Sequence, residues 1–337
     1  MTELLAIEQR PGRDDDAPWV VEGGKRIEGQ ENGRRLAALQ DGLGRHPGVR
    51  TEIADAGDEQ VERTLRALHD RRYLAALRGV ETEEHFLMPE FATPGLAPDV
   101  PVNAALVAAA HEGVRTAVTA AARLVAGARL TYAVCRPPGH HAGPAWFGGY
   151  CYLNNAAAAV RVLVEGGIEP IAVLDLDLHY PNGTAALLAP MPEVTLHSLH
   201  HSPVTNVPAD TVLPWAEREE VVAFAEPPSP DEYLEAVADS LETLAEGAGA
   251  LVLSLGYDTV TGDPHGSWEL PPETFSSIGA LVAATGLPVC VIQEGGYALS
   301  TLADCSYAFA TGLLEAPDGP KTGDRLPFSA RRPGVSA

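Results

Sequence analysis

The segment RPPGHHAG sets two histidines side by side, His140 and His141. Imidazole is the side chain best suited to moving protons near neutral pH. A second segment, VLDLDLHYPNGT, carries Asp175, Asp177 and His179 at alternate positions. A third, SLGYDTVTGDPHG, carries Asp258, and a fourth, QEGGY, carries Tyr297. Alternate residues of an extended segment face one side, so Asp177 and His179 are expected to point together into one site. Asp258, following an apolar run of its own, would supply a third ligand from a different loop. Two carboxylates and one imidazole suit a catalytic zinc, which keeps positions open for water and substrate. Oxygen-rich ligation also suits Fe2+ or Co2+, so the donor set leaves the metal open.

The histidine pair reads as acid–base machinery. A neutral imidazole can take a proton from water acidified by a metal and return a proton to a leaving amine. The two rings are distinguished by the groups behind them. Asp175 is the expected partner of His140, and the neutral amide of Asn182 the expected partner of His141, which makes His141 the better general base. Tyr297 follows two glycines that permit a tight turn, and a phenol beside a metal can hold a tetrahedral oxyanion. Gly149 and Tyr150, in AWFGGYCYLNN, are expected to wall a narrow channel, while Trp146, Phe147 and Tyr152 read equally well as packing. The histidines of HSLHHSP, His197, His200 and His201, are not taken as a second metal site; Ser198 and neighbouring carbonyls suit a structural cation instead. His69 and Tyr73, in LHDRRYL, read as packing and hydrogen-bonding residues.

Holding four such segments together requires a rigid frame. The apolar runs 130–135, 170–177, 194–200, 250–256 and 287–293 read as buried strands. Helical spacing covers 34–44, 61–77 with a break near His69, 102–127, 153–167, 231–247, 272–286 and 298–314. This alternation predicts the α/β class: a single domain with a central, mostly parallel sheet flanked by helices on both faces. Such sheets place ligand sites at the carboxyl ends of their strands, where all four segments fall. Residues 1–30, with their DDD run, read as a loop or variable arm. Residues 80–102, with Glu81, Glu83, Glu84, Glu90 and Asp99, read as a long functional loop. The catalytic domain is expected to span 1–317, and 318–337 to form a polar tail.

The chain has 337 residues, 45% of them hydrophobic, enough for a sizeable core. A formal net charge of −23 argues against nucleic-acid binding, which needs a basic footprint. It favours cationic or polyamine-like substrates instead. No run of about twenty apolar residues predicts a membrane span, and the N-terminus lacks a signal-peptide core. The four cysteines are scattered, as expected of buried thiols in a reducing cytoplasm.

Taken in order, RPPGHHA…GGYCYLNNAA, DLDLH…NGT, GYD…GDP and EGGY resemble the arginase-fold deacetylases, from about His69 to Leu314. That group comprises histone deacetylases, acetylpolyamine amidohydrolases and acetoin-utilisation proteins. Asn182 and the EGGY form are closer to the class II and acetylpolyamine branches. The resemblance implies an α/β domain with a central parallel sheet, and zinc on Asp177, His179 and Asp258. It implies His140 and His141 as the catalytic pair, Tyr297 as oxyanion stabiliser, and a potassium site involving Asp175, Ser198 and nearby carbonyls. A homodimer is a reasonable expectation for the family.

The chain departs from the family pattern in several places. Tyr180 and Pro181 replace the usual His-Gly, Tyr257 replaces phenylalanine, and VTNVPADTVLPWAEREE (204–220) stands where a glycine-rich stretch is usual. Leu255 is apolar where a polyamine-selective relative carries a gatekeeper glutamate, which predicts that this selectivity device is absent. The sequence thus points to a zinc-dependent amidohydrolase removing acetyl, or another short acyl group, from a small amine such as an acetylpolyamine or a biosynthetic intermediate. The runner-up is a protein acetyl-lysine deacetylase. Two rivals come from other classes, a non-catalytic binding protein on the same fold and a two-manganese ureohydrolase.

Overall fold

The computed structural model describes residues 3–10, 16–207 and 219–316. In chain order the elements begin with β1 (Leu4–Glu8), β2 (Trp19–Glu22), β3 (Lys25–Glu28), α1 (Gly33–Gly44), β4 (Val49–Ile53), α2 (Asp58–Leu68) and α3 (Arg71–Arg78). A 3-10 turn (Pro89–Phe91) precedes α4 (Ala104–Val125), β5 (Leu130–Val134), α5 (Asn155–Glu165), β6 (Ile171–Asp175), α6 (Asn182–Leu188) and β7 (Val194–His201). The chain continues through β8 (Glu219–Phe224), α7 (Pro230–Ala245), β9 (Ala250–Leu255), α8 (Thr274–Ala284), β10 (Val289–Gln293) and α9 (Leu302–Glu315).

Eight strands form one sheet in the order β4-β1-β5-β10-β9-β6-β7-β8, and every neighbouring pair is parallel. Parallel strands need crossovers that lay helices over both faces. Strands β5, β6, β9 and β10 are accordingly buried at every residue. Their side chains alternate between two cores. Ala133, Val173, Val252 and Ile292 pack with α2 to α6 on one face. Tyr132, Leu174, Leu253 and Val291 pack with α1, α7, α8 and α9 on the other. These four strands are adjacent at the centre of the sheet, so the loops leaving their carboxyl ends converge over one crevice.

The break near His69 is real: α2 ends there, and Asp70 restarts the chain as α3 by accepting hydrogen bonds from Arg72 N and Tyr73 N. His69 and Tyr73 are both buried, with His69 Nδ1 2.8 Å from Gly143 O and the Tyr73 hydroxyl donating to Tyr152 O. All four cysteines are buried and free. Among the described residues no helix is long and apolar enough to cross a membrane.

Three expectations need correction. Among its described residues the N-terminal segment is not a loose arm. Its LLAIE run is β1, wedged between β4 and β5, and β2 and β3 form a separate antiparallel hairpin around Gly23 and Gly24. A five-residue strand beside an acidic run leaves no periodicity to detect. Two edge strands, β4 and β8, were also not expected, because VRTEI and EEVVAF mix charges into the run, as edges do. Finally, β6 stops at Asp175, so Asp177 and His179 lie beyond the strand. The polar tail 318–337 and residues 208–218 of the altered rim segment lie outside the described residues.

Candidate active site

The segment leaving β6 is wound by its own side chains. Asp175 Oδ1 accepts from Asp177 N at 3.1 Å, and Asp177 Oδ1 accepts from His179 N at 2.9 Å. Such side-chain-to-backbone bonds two residues on are the local turns that aspartate favours. They, and not an extended strand, bring Asp177 and His179 to one side. The neighbouring loops are tied to the same carboxylates: Asp258 Oδ1 accepts from Leu178 N, and Asp177 Oδ2 accepts from Gly295 N at 2.9 Å. A Cβ at Gly295 would lie 2.6 Å from Asp177 Oδ2, so only glycine lets that loop approach.

His179 Nδ1 lies 3.2 Å from Asp177 Oδ1 and 3.0 Å from Asp258 Oδ2. Ligand atoms of the three residues all fall within 4.8 Å of one another. Both carboxylates are buried, while His179 keeps 32% of its side chain open to the cavity. Burial and the charge of Asp177 push Asp258 up to about 7. Among the described residues neither carboxylate has a lysine or arginine ion pair; their ion-pair partners are His140 and His179. Crowded buried carboxylates beside an imidazole fit one divalent cation, which would relieve their repulsion. No other group of three such side chains suited to a metal occurs among the described residues, His197, His200 and His201 included. A ligand that binds only the folded state raises its stability. Zinc is therefore expected to raise the Tm of chelator-treated protein by several degrees in a thermal melt, and Asp258→Ala to abolish the shift.

The histidine loop leaves β5 and is held from two sides. Gly139 N and His140 N donate to Glu294 Oε2, at 2.6 and 3.1 Å, and Gly183 N and Thr184 N both donate to His140 O at 3.0 Å. The rings lie 4.0 Å apart. His140 Nδ1 is 3.4 Å from Asp175 Oδ2, and its Nε2 is 3.5 Å from Asp177 Oδ1. Burial alone would lower His140, but Asp177 and Asp175 outweigh it and raise the ring to about 10. His141 goes the opposite way. Burial, then the neighbouring His140 and His179, hold it well below the usual imidazole range. Its Nδ1 faces Asn182 Oδ1 at 2.8 Å. Adjacent histidines are thus shifted in opposite directions, His140 by its carboxylates and His141 by its burial.

Tyr297 is seated by Asp263, whose Oδ2 accepts from Tyr297 N and Ala298 N at 2.6 and 2.9 Å. Gly296, at φ 115°, makes the preceding turn. Beneath the ring lies a residue the sequence reading missed. Arg35, on α1 and 1% exposed, stacks its guanidinium 4.5 Å from the Tyr297 ring centroid. It donates to Gly296 O, Glu294 O and Glu31 Oε1 at 2.6, 2.8 and 3.0 Å. In RRLAALQ this arginine looks like any charge on a helix surface; all its partners but Glu31 lie some 260 residues away.

The segments enclose a cavity of ≈ 500 Å³ that reaches Asp177, His179, Asp258, both histidines and Tyr297. Gly149 and Tyr150 wall it, both with positive φ (53° and 67°). A Cβ on Gly149 would lie 2.3 Å from His141 Cδ2. Gly149→Ala must therefore move the His141 ring as well as strain its own backbone. The expected result is a fall of at least about tenfold in kcat/KM, read by steady-state kinetics, with a folded circular dichroism spectrum. Phe147 and Tyr152 are fully buried packing residues and Trp146 is half-buried.

The 80–102 loop lines the cavity with Thr93, Leu96, Ala97, Pro98, Asp99 and Val100, while one expectation about the mouth fails. Of the acidic residues singled out in 80–102, only Asp99 lines the cavity, and its carboxylate is engaged by Gly149 N at 2.8 Å. Leu255 is wholly buried in the sheet core, away from the cavity, so its apolar character carries no information about selectivity. His265 and the β2–β3 hairpin complete the wall, and Glu22 Oε1 of the hairpin lies 3.4 Å from His265 Nδ1. Ser198 pairs in register with Asp175, and both are buried. The Ser198 hydroxyl lies 2.9 Å from His200 Nδ1.

A family model described as the histone deacetylase domain matches residues 29–313. The chain is 38% identical over 199 residues to an acetylpolyamine amidohydrolase of Mycoplana ramosa, covering 56% of this chain and 58% of that protein. It is 35% identical over 226 residues to acetylpolyamine amidohydrolase 1 of Pseudomonas aeruginosa, covering 64% and 65% respectively. The match thus spans less than two thirds of the length of these curated relatives. Among solved structures, an acetylpolyamine aminohydrolase from Burkholderia pseudomallei superposes with a TM-score of 0.79 at 27% identity, over 93% of this chain and 98% of that one.

Proposed function

The chain belongs to the histone deacetylase family, and on that premise we propose that it hydrolyses N-acyl amines, releasing acetate or another short acid from a small amine. One observation carries the reading: neighbouring histidines, one against two carboxylates and one against an amide, beside a three-donor cluster and a phenol, all on one cavity. Asp177, His179 and Asp258 would hold a divalent cation, zinc in this reading with Fe2+ or Co2+ as alternatives, which would supply Lewis acidity toward the acyl oxygen and make water easier to deprotonate.

The chain's own groups do the rest. His141 is neutral and buried, so its free nitrogen can accept the proton of the attacking water, while Asn182 holds the other nitrogen. His140 stays cationic against Asp175 and Asp177 and keeps positive charge beside the reacting centre. A histidine of the pair then protonates the departing amine. Burial holds the Tyr297 phenol well above its ordinary range. It therefore remains a donor and can bond to the oxygen as negative charge develops there. Gly149 and Tyr150 wall the path of the acyl amine to this centre.

Asp175 and Ser198, with nearby carbonyls, are proposed to hold a structural potassium ion. The protein is further proposed to be cytoplasmic, active as a homodimer, and to bind neither nucleic acid nor membrane. The likeness to acetylpolyamine amidohydrolases supports a polyamine-type substrate, as do the net charge of −23 and the placing of Glu22 and Asp99 on the cavity wall. The test is acetate release from acetylated diamines and polyamines against acetyl-lysine peptides by the zinc-loaded protein. Faster turnover of the small amines supports the proposal. Preference for peptides would move it to protein deacetylation, and binding without turnover to a non-catalytic role.

A further inference from the structure

The two places where the chain departs from its family pattern beside the metal segment, Tyr180–Pro181 and the stretch from 204, meet in space at one side chain, Asn206. Its Nδ2 donates to Tyr180 O and lies 3.1 Å from Asn182 Oδ1. In return Asn182 Nδ2 donates to Asn206 O at 3.1 Å. The two asparagines are thus bonded reciprocally, next to the nitrogen that Asn182 shares with His141. Asn206 Nδ2 also lies 2.9 Å from that nitrogen, His141 Nδ1.

We propose that Asn206 is a positioning residue that fixes the tautomer of His141 through the Asn182 amide. The proposal rests on the reading of His141 as general base. A neutral imidazole carries one proton, on Nδ1 or on Nε2. Asn206 has two amide hydrogens. One is taken by Tyr180 O, and the other has two candidates, Asn182 Oδ1 and His141 Nδ1. If it went to His141 Nδ1, that nitrogen would be unprotonated, and its lone pair would face the Asn182 oxygen at 2.8 Å with no hydrogen between them.

Turning the Asn182 amide over does not help, because its oxygen would then face Asn206 O. Turning the Asn206 amide over would set its oxygen against both Tyr180 O and Asn182 Oδ1. One arrangement satisfies every group. Asn206 donates to Tyr180 O and Asn182 Oδ1, Asn182 donates to Asn206 O, and His141 Nδ1–H donates to Asn182 Oδ1. The proton is then on Nδ1, and Nε2 keeps the lone pair that a base needs. Asn182 alone, free to rotate its amide, supports either tautomer equally well; the Asn206 carbonyl removes that freedom, and the Asn206 side chain, bonded to Tyr180 O, holds that carbonyl in place.

The test reads the tautomer directly. Protein labelled with 15N-histidine is examined by long-range 15N–1H correlation, which tells a protonated from an unprotonated ring nitrogen. The wild type is expected to show His141 protonated on Nδ1. Asn206→Leu, a half-buried rim position, is expected to add the Nε2-protonated form and to lower kcat about tenfold with KM within about twofold. In an Asn182→Ala background the same substitution is expected to cost nothing more, because its effect passes through Asn182. A wild type protonated on Nε2 overturns the proposal with no variant made. So does an unchanged tautomer in Asn206→Leu, or an undiminished loss in the Asn182→Ala background. The spectrum needs no substrate, so it stands apart from the outcome of the acetate-release assay.

Discussion

Tyr297→Phe is expected to lower kcat by about 10²–10³ with little change in KM. Removing one preorganised oxyanion donor costs about 2.7–4 kcal/mol in the transition state. The substrate's ground state does not need that donor, so the loss falls on kcat. The substitution is conservative in shape. Phenylalanine keeps the ring that stacks on Arg35 and the turn that Asp263 anchors through Tyr297 N and Ala298 N. Steady-state kinetics on the best substrate of the panel, with a thermal melt to show an unchanged fold, checks the expectation. A variant within twofold of the wild type would remove the phenol from the mechanism.

His141→Ala is expected to cost about 10²–10⁴ in kcat, the range spanned by general acid–base catalysis. Its pH profile carries the sharper information. Burial, then the neighbouring His140 and His179, hold His141 well below the ordinary imidazole range. A group with a lowered pKa stays neutral, and so stays a base, down to more acid pH. The wild-type acid limb should therefore lie below the range of a free histidine, and it should vanish in the variant. His140, raised to about 10 by the carboxylates that outweigh its burial, remains cationic across the working range and should contribute no limb near neutrality. A rate that falls through an ordinary imidazole pKa would reverse the assignment of the two rings.

The side chains that meet at the candidate site were readable because each lies just past the apolar run of a central parallel strand. His140 and His141 follow β5, Asp177 and His179 follow β6, Asp258 follows β9 and Tyr297 follows β10. Fully buried strands announce themselves as continuous hydrophobic runs, and the chemistry comes on the residues that end them. The partners Asp175 and Asn182 were readable for the same reason, being within a few residues of the metal segment. Arg35 was not, since nothing in a helical arginine reveals a phenol lying on its guanidinium. Nor was Asp263, whose carboxylate seats Tyr297 from 34 residues away. The hairpin bearing Glu22 was lost because a four-residue strand pair around Gly-Gly carries too few residues for a pattern. Local reading also misplaced the cavity mouth: Leu255 belongs to the core and His265 to the wall.

One measurement bears most directly on the central claim, that this cavity is a single-metal amide hydrolase. Metal-free protein is titrated with zinc while acetate release from an acetylated amine is followed. The account predicts no turnover at the start, a rise that saturates at one equivalent per chain, and no rise in Asp258→Ala. Saturation at two equivalents would favour the ureohydrolase type of centre. Full turnover by the metal-free chain, or none at saturating zinc on any acylated amine, would contradict the account.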